Sequence, residues 1–188
     1  MDWNTMDRFI RWGRKRSTRQ YGFGKSKHKN QWSNNGTNIM NIDKLREELT
    51  FDEGCIDKIY LDHLGYPTFG IGHLILETDP EHGKEVGTPV SNERIKECFE
   101  NDINTVTKEL DRNLSWWIHL PEDIKRVLAN MGFNLGITRL LKFKKFLTAL
   151  EEHNWETAAV EMMDSRWATQ VGPRATRLRD RVLLGGQG

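Results

Sequence analysis

The chain has 188 residues, a formal net charge of +1, 37% hydrophobic residues and two cysteines. This length suits a single domain with a sizeable core. Two cysteines are too few for a disulfide framework, and no apolar run approaches the roughly 20 residues that a membrane-spanning helix needs.

The small net charge hides an uneven distribution along the chain. Residues 1–39 hold nine Lys/Arg against two Asp, a net charge of +7, whereas residues 40–188 carry −6. Residues 30–41 are rich in Asn, Ser and Gly, which is typical of a linker. We therefore predict a basic extension and linker over 1–39 and a folded domain over 40–188. The basic N-terminus lacks the apolar core of a signal peptide, so we expect the protein to accumulate in the cytoplasm of the cell that makes it.

The extension has one helical face of apolar residues next to basic ones. The apolar residues on this face are Trp3, Met6, Phe9, Ile10 and Gly13. Such a pattern favours an anionic membrane or lipopolysaccharide as partner. Docking on the folded domain or a solvated tail is the plainer alternative. Nucleic-acid binding, through Trp12 and Tyr21 near cations, is the third reading and is not expected.

Beyond residue 40 the pattern is mostly helical. The predicted elements, in chain order, are a helix over about 42–50 with Asn41 as its N-cap, a hairpin region over about 56–73, a loop over 78–89, a long helix capped by Ser91, further helical segments, and a last helix over about 174–184. The fold class is therefore mostly helical α+β, with a small β-hairpin lobe joined by the long helix to a larger helical lobe and a cleft between the lobes.

Two carboxyl groups are predicted to lie close to each other. Glu53 follows the first amphipathic helix, and Asp62 lies in the adjacent hairpin. A pair of carboxyl groups facing each other across a gap is what cleavage of a glycosidic bond requires. A Glu and an Asp nine residues apart are by themselves more typical of solvated surface groups, so the surrounding residues have to decide.

Those surrounding residues form an ordered set of motifs. The motifs are Asp52-Glu53-Gly54, Tyr60-Leu61-Asp62, Gly65-Tyr66-Pro67-Thr68 and Gly70-Ile71-Gly72-His73, followed downstream by Asn130-Met131-Gly132-Phe133-Asn134-Leu135-Gly136, Ser165-Arg166-Trp167 and Pro173-Arg174-Ala175. In type and spacing the set resembles the phage-type lysozymes of the T-even bacteriophage kind. The resemblance covers about residues 40–185 and implies a lysozyme-like fold.

The resemblance also implies an activity. Such a protein is an endolysin-type muramidase, which hydrolyses the β-1,4 bond between N-acetylmuramic acid and N-acetylglucosamine in bacterial peptidoglycan and so causes lysis. It needs no cofactor, is a monomer, and reaches the cell wall or periplasm from the host cytoplasm after the membrane is permeabilised. The alternative is a catalytically silent wall-binding or virion structural module on the same fold.

In this reading Glu53 is the general acid, and Asp62 is the base or charge stabiliser. Thr68 is too weak an acid to act alone, but with Asp62 it would hold the attacking water on the far face of the sugar. That arrangement predicts inversion at the anomeric carbon and a gap of about 6.5–9.5 Å between the carboxyl groups.

Three structural ion pairs are expected in the same reading. The resemblance implies that Arg174 pairs with Glu53, that Arg177 pairs with Asp52, and that His73 pairs with Asp102. Asp102 also lies on the apolar stripe of the long helix, where a carboxylate requires a cation. The other histidines lack the spacing of zinc ligands, so no metal is expected and a zinc amidase is disfavoured.

Three residues are candidates for substrate binding. Asn134 offers a donor and an acceptor to an N-acetyl group, Phe133 would pack beneath it, and Gly72 lies in the hairpin motif. The family pattern usually has glutamine at the position of Asn134. Simple helix packing remains an equal alternative for Phe133 and Asn134.

Overall fold

The computed structural model describes residues 40–62 and 65–185. The extension over 1–39 and the predictions made for it lie outside the described residues. The described elements, in chain order, are α1 (Ile42–Glu53), β1 (Ile56–Leu61), β2 (Pro67–Gly70), β3 (His73–Leu74), α2 (Asn92–Asn113), a 3₁₀ helix (Ser115–His119), α3 (Glu122–Leu135), α4 (Ile137–Leu140), α5 (Lys144–Glu151), α6 (Trp155–Met163), α7 (Arg166–Val171) and α8 (Pro173–Leu184).

The first helix carries Glu53 at its C-terminal end. Asn41 is its N-cap, since the side-chain oxygen accepts from the amide of Lys44 at 2.9 Å. The helix is three residues longer than predicted because the last turn closes fully, with the amide of Gly54 bonded to the carbonyl of Thr50 at 3.0 Å. Gly54 then takes φ 75°, a conformation that favours glycine, and the chain leaves the helix directly after Glu53.

The small lobe is a three-stranded antiparallel sheet in the order β1-β2-β3. The predicted hairpin is β1 and β2, paired from Ile56↔Gly70 to Leu61↔Pro67 with an irregularity in between. The third strand has only two residues, and it places His73 opposite Phe69. Phe69 is fully buried, so the sheet has an apolar side that packs on the rest of the protein.

The long helix α2 connects this sheet to the helical lobe. Ser91 caps it by accepting from the amide of Arg94, and its buried face includes Ile95, Phe99 and Ile103. In the helical lobe, α3 is the central element because residues 124–135 are all buried. The last helix begins at Pro173, one residue earlier than predicted, as suits a proline at the first helical position. Within the described residues, no helix has the length and apolar character needed to cross a membrane.

The fold class is thus the predicted one, a mostly helical α+β structure with a small sheet lobe.

Candidate active site

Glu53 is held at the end of α1 by a buried arginine. Nη1 of Arg174, on α8, donates to Oε1 of Glu53 at 2.6 Å. The side chains are 7% and 16% exposed, so little water competes with this charge-assisted hydrogen bond. The two residues are 121 positions apart, and the contact joins the start of the folded domain to its last helix.

Arg174 is itself fixed by the central helix. Its Nε donates to Oδ1 of Asn130 at 2.9 Å, and its Nη2 donates to the backbone carbonyl of the same residue at 3.3 Å. Asn130 is fully buried. Because three nitrogens of the guanidinium have defined acceptors, the orientation presented to Glu53 is set before any substrate arrives.

Asp52 is the second carboxylate beside Arg174 and Asn130. Its Oδ2 accepts from Nδ2 of Asn130 at 2.9 Å and lies 3.4 Å from Nε of Arg174. Its Oδ1 accepts from Nη2 of Arg177. The Asp52 side chain is 4% exposed, so it is a buried carboxylate with two cations beside it. Arg174 therefore contacts Glu53, and Arg177 contacts Asp52, as expected. Asn130 joins the two pairs because it bonds both Arg174 and Asp52.

Asn134 is the second residue that holds Glu53. Its Nδ2 donates to Oε1 of Glu53 at 3.3 Å, while its Oδ1 accepts from the indole Nε1 of Trp167 at 2.8 Å. The indole can only donate, so this bond determines which end of the amide points at Glu53. Asn134 is 3% exposed and uses its amide within the protein. A contact with an N-acetyl group, predicted from the sequence, remains a prediction.

Asp62 and Thr68 lie at the far end of the hairpin. Oδ1 of Asp62 accepts from the amide of Tyr66 at 2.9 Å, which fixes the carboxylate against the turn. The Thr68 hydroxyl donates to the carbonyl of Tyr66 at 3.1 Å, so its lone pairs remain as acceptors. Thr68 is 4% exposed, so only a small part of it reaches the surface.

Tyr60 is affected by both candidate carboxyl groups. Burial, followed by the negative charges of Glu53 and Asp62, raises the pKa of Tyr60 to about 12. Tyr60 is paired with Thr68 across the sheet. The phenol of Tyr60 therefore senses the charge of both carboxylates, although Glu53 ends α1 and Asp62 follows β1.

His73 is bonded to two carboxylates. Its Nδ1 lies 2.9 Å from Oδ2 of Asp102, the expected partner, and its Nε2 lies 3.2 Å from Oδ2 of Asp79, which the sequence did not indicate. Burial alone would lower the pKa of His73, but the hydrogen bond and charge of Asp102, followed by those of Asp79, outweigh burial and raise this pKa above 6.5.

Comparison with known proteins agrees with this architecture. The family model described as phage lysozyme matches residues 51–182. The chain is 31% identical over 156 residues to probable T4-type lysozyme 1 of Dictyostelium discoideum, a match that covers 73% of this chain and 92% of that protein. The chain belongs to the phage lysozyme family. It is therefore a glycoside hydrolase of the lysozyme kind.

Two further relatives are much longer proteins. The chain is 31% identical to the pre-baseplate central spike protein Gp5 of Enterobacteria phage T4, with 75% of this chain matching 28% of that protein. It is 27% identical to peptidoglycan hydrolase gp36 of Pseudomonas phage phiKMV, with 69% of this chain matching 14% of that protein. Lysozyme domains related to this one thus occur within larger proteins.

The remaining candidate residues of this lysozyme have mainly packing contacts. The Phe133 ring is 6% exposed and lies edge-on to Phe99 of α2, with centroids 5.6 Å apart. This contact favours the packing alternative for Phe133. Gly72 has φ 75° in the turn between β2 and β3, with nothing within 4 Å of an added Cβ. A sugar contact at either residue remains a prediction.

The residues that sequence reasoning missed are the supports of the site. Asn130 and Trp167 stand in the sequence only as members of motifs, with no partner indicated for either. The spacing of four residues between Asn130 and Asn134 on a buried helix is a signal that could have indicated Asn130 as a support, because buried amides need partners. The sequence holds no comparable signal for Trp167.

Proposed function

We propose that this lysozyme hydrolyses the β-1,4 bond between N-acetylmuramic acid and N-acetylglucosamine in bacterial peptidoglycan by an inverting mechanism. Glu53 is the general acid, and Asp62 with Thr68 holds the attacking water. The observation that carries the proposal is the contrast between the two carboxyl groups. Glu53 is fixed by buried donors of the helical lobe, whereas Asp62 is fixed by the hairpin, and both act on Tyr60.

The contacts of Glu53 determine which oxygen carries the proton. Among the described residues, the hydrogen bonds from Arg174 and Asn134 both go to Oε1. A protonated oxygen would have to give up such bonds, so Oε2 is the oxygen that donates to the leaving glycosidic oxygen. Arg174 then stabilises the carboxylate that remains once the proton has left.

The water on the opposite face completes the reaction. As the glycosidic bond breaks, the water oxygen bonds to the anomeric carbon and its proton passes to Asp62. The lone pairs of the Thr68 hydroxyl accept from the same water, since the hydroxyl hydrogen is used on the carbonyl of Tyr66. Glu53 ends ionised and Asp62 ends protonated, and exchange with solvent restores both.

The test of the acid is Glu53→Gln. The amide keeps the shape but has no proton to donate, so hydrolysis of purified sacculi should fall by at least about 10²-fold, the lower end for loss of a positioned acid. Glu47→Gln is the matched control, because Glu47 is exposed on the same helix. Near wild-type release of muropeptides by Glu53→Gln, measured by mass spectrometry, would contradict the assignment.

The test of inversion is the anomer that forms first. Proton NMR during early turnover should detect the α-anomer at the new reducing end, because the water attacks the face opposite the leaving group. A β-anomer formed first would mean that a covalent intermediate is made. Thr68→Glu, which places a carboxylate at the proposed water position, should slow the inverting reaction.

For the biological role we propose lysis of the host from within, with the enzyme made in the cytoplasm and admitted to the wall after the membrane is permeabilised. The relationship to the spike protein Gp5 favours a second candidate, a wall-binding or structural module of the phage particle. Turbidity clearance of permeabilised cells by the purified protein supports the first role. Binding to sacculi without clearance, together with recovery of the chain in purified particles, supports the second.

A further inference from the structure

Three side chains with metal-binding atoms converge away from the proposed catalytic residues. They are His73 on β3, Asp79 in the loop after it, and Cys98 on α2. One ligand atom from each lies within 4.8 Å of the others, and both His73 and Cys98 are buried. We propose that these three side chains bind one Zn²⁺ ion, with a water as the fourth ligand.

The distances suit a tetrahedral ion. Zinc bonds of about 2.0–2.1 Å to nitrogen and oxygen put neighbouring N and O ligands about 3.3 Å apart in a tetrahedron. Nε2 of His73 already lies 3.2 Å from Oδ2 of Asp79. With a zinc–sulfur bond of about 2.3 Å, the thiolate of Cys98 should lie about 3.6 Å from that nitrogen, so its approach from within 4.8 Å requires a shift of about 1 Å.

The outer contacts orient the ligands as a zinc site requires. The Nδ1–H of His73 points at Asp102, at 2.9 Å, which leaves Nε2 as the ligand atom. A carboxylate behind a histidine is the usual arrangement in zinc sites, since it fixes the tautomer and makes the ligand more basic. Asp79 is also held by outer contacts, because its Oδ1 accepts from Nη2 of Arg94 at 2.8 Å and its Oδ2 accepts from the amide of Leu76 at 2.7 Å. The same Oδ2 faces Nε2 of His73, and its remaining lone pair is the one that would bind the ion.

The surrounding charge favours a cation despite the nearby arginine. Arg94 also contacts Glu81 at 3.2 Å and Glu97 at 3.0 Å, so its charge is shared among three carboxylates. With Asp102 included, four carboxylates surround one permanent cation. The side chains around the site therefore carry an excess of negative charge, in which a bound cation is stable.

Zinc would have to displace two protons. Burial, offset by Arg94 and reinforced by Asp102, Asp79 and Glu81, raises the pKa of Cys98 to about 12, so the thiol is protonated without metal. Zinc binds the thiolate and neutral imidazole, and it lowers the pKa of a coordinated thiol enough to deprotonate it. Binding therefore releases the proton of the Cys98 thiol and any proton on Nε2 of His73, and zinc affinity should fall as pH is lowered.

The consequence is a link between the sheet and the long helix. β3, the loop carrying Asp79, and α2 would share one ion, so zinc should raise the melting temperature. The spacing of 6 and 19 residues between successive ligands matches no zinc motif, which is why the sequence does not indicate this site.

The test uses the full chain with Co²⁺ as a spectroscopic substitute for Zn²⁺. We expect one Co²⁺ per chain with the absorption of sulfur-to-metal charge transfer, removed by one equivalent of Zn²⁺. Zinc should also raise the melting temperature relative to EDTA. An unchanged melting temperature together with no thiolate absorption at millimolar Co²⁺ would overturn the proposal.

Variants identify the ligands. Cys98→Ser should abolish the charge-transfer band, and Cys55→Ser, the matched change at the other free thiol, should keep it. Asp79→Asn keeps the side-chain shape and should weaken zinc binding at least about 10-fold, so it serves if Cys98→Ser fails to fold. Loss of the band in Cys55→Ser, or unchanged affinity in Asp79→Asn, would mean that zinc binds elsewhere.

Discussion

The charged interaction of His73 gives a sharp test of what holds the sheet lobe to α2. The histidine side chain is 10% exposed, and its two ring nitrogens face Asp102 and Asp79. The perturbation is His73→Gln, which keeps a polar side chain of similar reach but has no charge at any pH. All measurements are made in EDTA, so that bound metal plays no part.

The pH dependence of this contribution to stability follows from the direction in which folding shifts the pKa of His73. The pKa of His73 is raised in the folded protein, so its contribution to stability is fully present below about 6.5 and is lost as pH rises through the folded value. Burial alone would raise the pKa of Asp79, but the Leu76 amide, His73 and Arg94 together outweigh burial and lower this pKa. The contribution of Asp79 to stability is therefore present above its ordinary value of 3.8. The interaction is therefore strongest near pH 5.

The size of the expected loss of stability follows from the two hydrogen bonds that His73 makes. A hydrogen bond to a charged group contributes about 1.5–3 kcal/mol, and the bond to Asp102 belongs at the lower end because that carboxylate is 33% exposed. We expect a loss of about 3 kcal/mol near pH 5. For a chain of this size, each kcal/mol lowers the melting temperature by about 2–4 °C, so the variant should melt about 6–12 °C lower.

Thermal unfolding at pH 5 and pH 9 is the assay. The charge on His73 is lost as pH rises through its folded pKa, so the difference in stability should shrink from pH 5 to pH 9 towards about 1 kcal/mol, the value of an ordinary hydrogen bond. His119→Gln is the control, since His119 is exposed. If the variant is destabilised equally at both pH values, packing and not charge is the source of the lost stability. A larger loss at pH 9 would refute the conclusion that folding raises the pKa of His73.

Two other changes test the site and the extension. Trp167→Phe removes the donor that orients Asn134, so kcat should fall about 5-fold, equivalent to about 1 kcal/mol, while KM stays the same; a change in KM alone would point to substrate contact instead. Deletion of residues 1–39 should leave hydrolysis of purified peptidoglycan intact but abolish salt-sensitive binding to anionic vesicles or lipopolysaccharide; a salt-insensitive fall in melting temperature would instead indicate docking on the folded domain.

Much of the fold could be predicted because its signals are local. The caps Asn41 and Ser91 form the predicted bonds, and the apolar period of α2 gives the predicted buried face. The turn residues around Gly65 also predicted the hairpin. The short strand β3 could not be predicted, because two residues have no period of their own and are defined only by pairing with β2.

The residues of the candidate site also differ in whether their sequence signals are local. Glu53, Asp62 and Thr68 lie within 16 residues, so one motif contains them all. The buried supports lie about 80 to 120 residues further on, and Asn130 and Asn134 have no local feature that names their partners. Only the resemblance to a family placed Arg174 against Glu53, and no resemblance indicated Asp79 against His73.

Glu53 and Asp62 are held by different elements, and this affects the proposed mechanism. Inversion depends on a fixed gap between the carboxyl groups, since one water has to fit between Asp62 and the sugar. Glu53 is held by α3 and α8, whereas Asp62 accepts a hydrogen bond from the amide of Tyr66 within the hairpin. The gap is therefore set by how firmly the sheet is attached to the helices. His73 bonds the sheet to Asp102 of α2, so under the proposed mechanism it would be one of the residues that keep the gap constant.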